Sequence, residues 1–128
     1  MRAYDPDRSP DAAEWLAIDE QERIALVEAF HISASIQLPS LTAHAAFHAM
    51  VENQLAAQHP PVVRAMARLA KQGLSRHDCV HAVSWVLAQH FHELMTATTS
   101  EPTAVVQARF DAAVERLTAA GWRAQVEE

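Results

Sequence analysis

Residues 44–54 read His44-Ala-Ala-Phe-His48-Ala-Met-Val-Glu52-Asn-Gln54, and residues 76–81 read Arg76-His77-Asp-Cys-Val-His81. Neither stretch contains glycine or proline, and each repeats histidine at a spacing of four. On a helix that spacing places two side chains one turn apart on the same face, about 5–6 Å apart at Cβ. Successive residues turn by about 100° around a helix axis, so with His44 at zero, Val51 and Leu55 fall about 20° to either side and His48 about 40° round. The histidines therefore occupy the middle of an apolar stripe, not the wet face. Glu52 lies further round the same stripe, one turn beyond His48. In the second stretch His77 shares a face with Ser84, Ala88, Phe91 and Met95, and His81 follows one turn along. Upstream, His31 shares a face with Ile24 and Val27.

Working outward, the punctuation predicts short turns between helices. Ser9 and Pro10 have the types expected at an N-cap and a first helical position, with that helix running to about Ala17. Asp19 reads as the cap of a second helix, with Glu22 as its capping-box partner. The second helix carries Ile24, Val27, His31 and Ile32 and ends before Pro39. Thr42 reads as the cap of a third helix, to about Gln58, stopped by His59-Pro60-Pro61. A fourth helix starts at Pro61, with Val62, Met66, Leu69 and Ala70 as its stripe, and ends at Gly73 in a left-handed cap. Ser75 caps a long fifth helix to about Ala97. After the turn Ser100-Glu101-Pro102, a last helix presents Val106, Phe110, Ala113, Val114 and Leu117 and stops at Gly121. No alternating pattern long enough for a strand interrupts this series. The expected fold is all-α: a compact bundle or array of five to six helices forming a single domain over residues 1–128.

Composition narrows the function. Half the residues are hydrophobic, only 2 are glycine, and the formal net charge is −6. An acidic chain is a poor match to a nucleic-acid binder, which usually carries a basic face. The basic cluster Arg64, Arg68, Lys71 and Arg76 reads as a solvated helix face, with a phosphate-binding stripe as the weaker reading. No nucleic-acid or membrane partner is expected, because no apolar run approaches the roughly 20 residues that span a bilayer. The first residues carry no signal-peptide pattern, and a cytoplasmic location is expected. The single cysteine, Cys79, permits neither an intramolecular disulfide nor a thiolate cluster and reads as a small packing residue. Trp15, Trp85 and Trp122 read as core anchors. His59, His90 and His92 read as loop or surface residues.

The chemistry rests on the five remaining histidines. A buried imidazole without a partner costs on the order of 1–3 kcal/mol, and helix carbonyls are mostly engaged already. One metal ion would satisfy three or four imidazoles at once. The expected ligands are His44, His48, His77 and His81, with Glu52 and His31 as direct ligands or as residues orienting them. Nitrogen and oxygen donors suit a transition metal, with zinc or iron expected and no organic cofactor. The alternative is a non-enzymatic, homo-oligomeric module, for instance a homodimer. In that reading His44, His48, Glu52, Asn53, Gln54, His77 and His81 bond one another in a polar core network.

The stretch from Trp15 to His92 also resembles a family of small uncharacterised bacterial helical proteins, a domain of unknown function. The resemblance is carried by Trp15-Leu-Ala-Ile-Asp-Glu, Glu22-Arg-Ile, His44-x-x-x-His48 leading into Glu52-Asn-Gln54, and Arg76-His77-x-x-x-His81-Ala. It implies a compact helical fold and directs attention to the two histidine pairs. It brings no activity, and the tail after Thr96 lies outside it.

Overall fold

The computed structural model describes residues 1–34 and 40–126, and all secondary structure among them is helical. Seven helices follow in order: α1 (Ala12–Ala17), α2 (Glu20–Ser33), α3 (Leu41–Ala56), α4 (Pro60–Lys71), α5 (Arg76–Thr96), α6 (Thr103–Arg116) and α7 (Ala119–Val126). Pro39, expected to follow the end of the second helix, lies outside the described residues. No described helix is long and apolar enough to cross a membrane.

The helix ends follow capping chemistry, with some shifts from the sequence expectation. Asp11, not Ser9, caps α1, its carboxylate accepting from the Glu14 N–H at 2.9 Å. Asp19 caps α2 as expected, accepting from the Gln21 N–H at 3.0 Å. Thr42 lies inside α3, whose cap position is Ser40. Gln58 takes a positive φ of 60° and turns the chain out of α3, while its neighbour's N–H closes on the Gln54 carbonyl at 2.9 Å. Gly73 does the same after α4 with φ +100°. Ser75 caps α5 by accepting from the Asp78 N–H.

The expected last helix is in fact two, which raises the count beyond five or six. Extended backbone at Leu117 ends α6. The Thr118 hydroxyl then accepts from the Gly121 N–H at 3.0 Å, so Gly121 is the first turn of α7, not a stop. Two long side chains, Arg68 of α4 and its C-cap residue Gln72, hold this break. Arg68 donates to the Val114 and Leu117 carbonyls at 2.8 and 3.0 Å, and Gln72 accepts from the Ala119 N–H at 2.7 Å. Each satisfies a backbone group that a helix end leaves without a partner.

Two apolar clusters share α3. Tyr4, Trp15, Val27, Ala45 and Ala49 join the N-terminal segment, α1, α2 and one side of α3. Val51 carries the other side into a larger core with Val62, Ala65 and Leu69 of α4, the valines of α5, and Phe110 and Val114 of α6. Helix α5 is thus covered by α3, α4 and α6 over its first half. Its later Phe91, Leu94 and Met95 are exposed. Ile32 and Ala70 are likewise exposed, the ends of apolar stripes that the fold does not cover. Cys79 packs as expected, fully buried, and burial pushes its thiol pKa up.

Of the expected basic cluster, Arg64 and Lys71 are exposed, whereas Arg68 and Arg76 are half-buried. Arg64 pairs with Glu115, Arg68 caps α6, and Arg76 turns inward to Glu52.

The Gly73 turn offers a clean test. A Cβ there would meet nothing within 4 Å, so a substitution is penalised by backbone conformation alone. Gly73→Ala should destabilise the fold by about 1–2 kcal/mol, measured as a shift of the urea midpoint at unchanged slope.

Candidate metal centre

Four histidines from three helices converge where the two apolar clusters meet. His31 comes from α2, His44 and His48 from α3, and His81 from α5. One nitrogen of each lies within 4.8 Å of the others. His44 Nε2 is 3.1 Å from both His31 Nε2 and His81 Nε2. His31 and His48 are fully buried, whereas His44 and His81 are partly exposed.

Packing explains why the rings meet. Ala45 and Ala49 are buried one position after His44 and His48 and have almost no side-chain bulk. They let α2 approach α3 closely enough for the His31 ring to reach the His44 ring, with centroids 4.7 Å apart. On α5, His81 lies a turn before Ser84 and faces α3, while Val80 and Val83 turn into the larger core.

Outer hydrogen bonds fix where two of the lone pairs point. His31 Nδ1 lies 2.8 Å from the Val27 carbonyl, which can only accept, so Nδ1 carries the proton and Nε2 the lone pair. His48 is set by a longer chain. Arg76 makes two bonds of 2.7 Å to the Glu52 carboxylate, which is therefore ionised. The Tyr4 hydroxyl donates its one proton to the same carboxylate and lies 2.9 Å from His48 Nε2. Its oxygen must then accept from His48 Nε2–H, which leaves the His48 lone pair on Nδ1. That Nδ1 is buried and has no hydrogen-bond partner among the described residues.

Protons alone do not satisfy this group. At most one proton occupies the junction of the His44 Nε2 with its two neighbours, shared between two acceptors or leaving two lone pairs opposed. Among the described residues, none reaches His48 Nδ1 or the buried His77 Nε2, which also lacks a partner. The polar network also lacks two expected members. The Asn53 side-chain oxygen accepts from Trp15 Nε1 and Arg23 instead, and the Gln54 side-chain oxygen is unpartnered.

The electrostatics favour the neutral form of His44, His48, His77 and His81. Burial first, and then the neighbouring imidazoles, lower His44 to about 4, His81 to about 3 and His48 to about 2. His77 is lowered too, by burial and then by His31. Burial, followed by the Glu52 charge, holds the Tyr4 phenol far above its ordinary value, so it stays protonated. Burial disfavours the Arg76 charge, yet its bonds to Glu52 outweigh that and raise its pKa. Neutral imidazoles with inward lone pairs are the state a metal ion requires.

The expected site residues divide accordingly. His31, His44, His48 and His81 form the group. His77 lies beside it, its ring tilted against His81 with centroids 4.1 Å apart, and its Nε2 is not one of the four converging nitrogens. Glu52 is engaged by Arg76 and Tyr4 and acts on the group through His48. Sequence reading passed over Tyr4 and Arg76. Tyr4 is 44 residues from His48 and no spacing rule links them. Arg76 adjoins His77, but it had been grouped with surface bases. His59, expected in a loop, precedes α4 and pairs with Asp111 at 2.8 Å.

In comparisons with known proteins, the chain matches no family model, no curated protein and no solved structure.

The lowered values set a pH dependence for the metal-free protein. His44, His48 and His81 are neutral when folded but take up protons near 6.5 when unfolded. Their contribution is fully present above pH 6.5 and is lost as pH falls toward 4 and below. Around pH 5 unfolding should take up about three protons from these groups. Urea midpoints measured from pH 8 downward should fall steeply below about 6.5. A flat profile would contradict the buried, neutral state of the cluster.

Proposed function

We propose that this protein binds one transition-metal ion through His31, His44, His48 and His81. The observation that carries the reading is the convergence of one nitrogen from each of four imidazoles within 4.8 Å, with the His31 and His48 tautomers set by outer hydrogen bonds. Four nitrogens held about 2.0–2.1 Å from a tetrahedral zinc ion lie about 3.3–3.4 Å apart. The two separations of 3.1 Å are close to that. An all-imidazole set suits zinc or ferrous iron. In this reading the Glu52–Tyr4–His48 chain plays the role that a carboxylate commonly plays behind a metal-bound histidine. It fixes the tautomer and makes the ring a better donor.

Elemental analysis of protein purified without a polyhistidine tag should find near one equivalent of zinc or iron, or uptake of one equivalent on reconstitution. His48→Ala combined with His81→Ala should abolish it. Tyr4→Phe keeps all four ligands but releases His48 Nε2, and should weaken binding by about 10–100-fold. Metal bound equally by the double variant would refute the assignment.

A second reading, a homo-oligomeric module, draws on the apolar end of α5, where Phe91, Leu94 and Met95 are 48, 50 and 68% exposed. Sedimentation at micromolar concentration separates the two. A monomer that carries metal supports the first reading alone.

A further inference from the structure

We propose that the metal site accepts a small organic anion with a flat apolar body, such as an aryl carboxylate, through the cavity between α3, α5 and α7. This inference rests on the metal-binding reading above and concerns what else the ion would hold.

The cluster is closed on one side and open on the other. His31 and His48 are fully buried. His44 and His81, the two partly exposed members, line a cavity of about 310 Å³. That volume falls at the lower end of small-molecule sites, roughly 300–1,000 Å³. Its remaining walls are Phe47, Trp85, Ala88 and Trp122, with Ser84 the other polar residue. Such walls favour a planar ring, which stacks against indole and phenyl faces.

Ser84 supplies a second, independent pointer. It lies one turn beyond His81 on the same helix and is only 6% exposed. Its hydroxyl is buried and has no hydrogen-bond partner among the described residues. A buried hydroxyl left unpaired costs on the order of 1–3 kcal/mol. The residue lines the cavity beside His81, and rotation about its Cα–Cβ bond would let the hydroxyl donate to the head of a ligand bound there.

Charge selects an anion. Four neutral imidazoles leave a divalent ion with both positive charges. Glu52 is the nearest carboxylate in the hydrogen-bond chain, and its charge is already matched by Arg76. No charged side chain lines the cavity. The acidic residues that act on the neighbouring histidines, Asp5, Asp7 and Asp78, bear on His77 and do not line the cavity. A carboxylate arriving through the cavity would supply the missing negative charge by expanding the four-coordinate ion to five ligands, as some catalytic zinc sites do.

The test uses the full chain loaded with one equivalent of cobalt(II), whose visible bands report coordination. Benzoate should shift those bands saturably. Acetate, with the same charge and no ring, and benzyl alcohol, with the ring and no charge, should each need at least about tenfold more ligand. Ala88→Phe fills the cavity two turns along α5 from His81. It should take up cobalt and lose the benzoate response, and its cobalt bands report that the core is intact. Ser84→Ala, a smaller change, should weaken benzoate by roughly 2–10-fold. Cobalt bands that ignore benzoate, or respond equally to acetate, overturn the proposal while the metal site stands. Failure to bind cobalt at all overturns both.

Discussion

The buried pair between Glu52 and Arg76 organises the centre of this protein. The Glu52 side chain is 1% exposed and accepts both guanidinium bonds from the start of α5. The same guanidinium donates to the Pro6 carbonyl at 2.9 Å, and Tyr4 donates to the same carboxylate. One ion pair thus ties α3, α5 and the N-terminal segment together. Burying two charges is costly in itself, and such a pair is weak evidence of stability. What it provides is definition: the N-terminal segment has one way to dock, and His48 has one tautomer.

That definition reaches the histidines. A ring with its proton committed outward presents a lone pair inward without further adjustment. His31 reaches the same state by a shorter route, through the carbonyl four residues back on its own helix. The cost of holding such rings out of water is visible in the depressed values of His44, His48 and His81, which come first from burial and then from one another. Neutralising Glu52 with Arg76 rather than with the cluster keeps carboxylate charge away from the four nitrogens. Among the described residues, the cavity beside His44 and His81 is lined by no charged side chain.

Much of the fold was legible locally. Asp19 and Ser75 cap where their types predict, Gly73 turns the chain where only glycine does so freely, and Trp15 is fully buried. The break at Leu117 was not legible, because it is held by Arg68 and Gln72 from another helix. At the site, the spacing of four found both histidine pairs but ranked His77 above His31. Helix periodicity gives the face a residue occupies, not how far along that face the partner helix crosses. His77 lies at the start of α5, beside the converging group rather than within it.

The sequence by itself determined an all-helical chain and placed imidazoles on the inward faces of three helices, because periodicity and capping act within a few residues. Only the tertiary structure decided which four nitrogens meet, that Glu52 serves His48 through Tyr4, and that a cavity opens at His44 and His81. Those outcomes depend on the approach of α2 to α3 over two alanines, and on contacts between residues as far apart as Tyr4 and Glu52. Such contacts are set by packing across the whole core, and no local pattern encodes them.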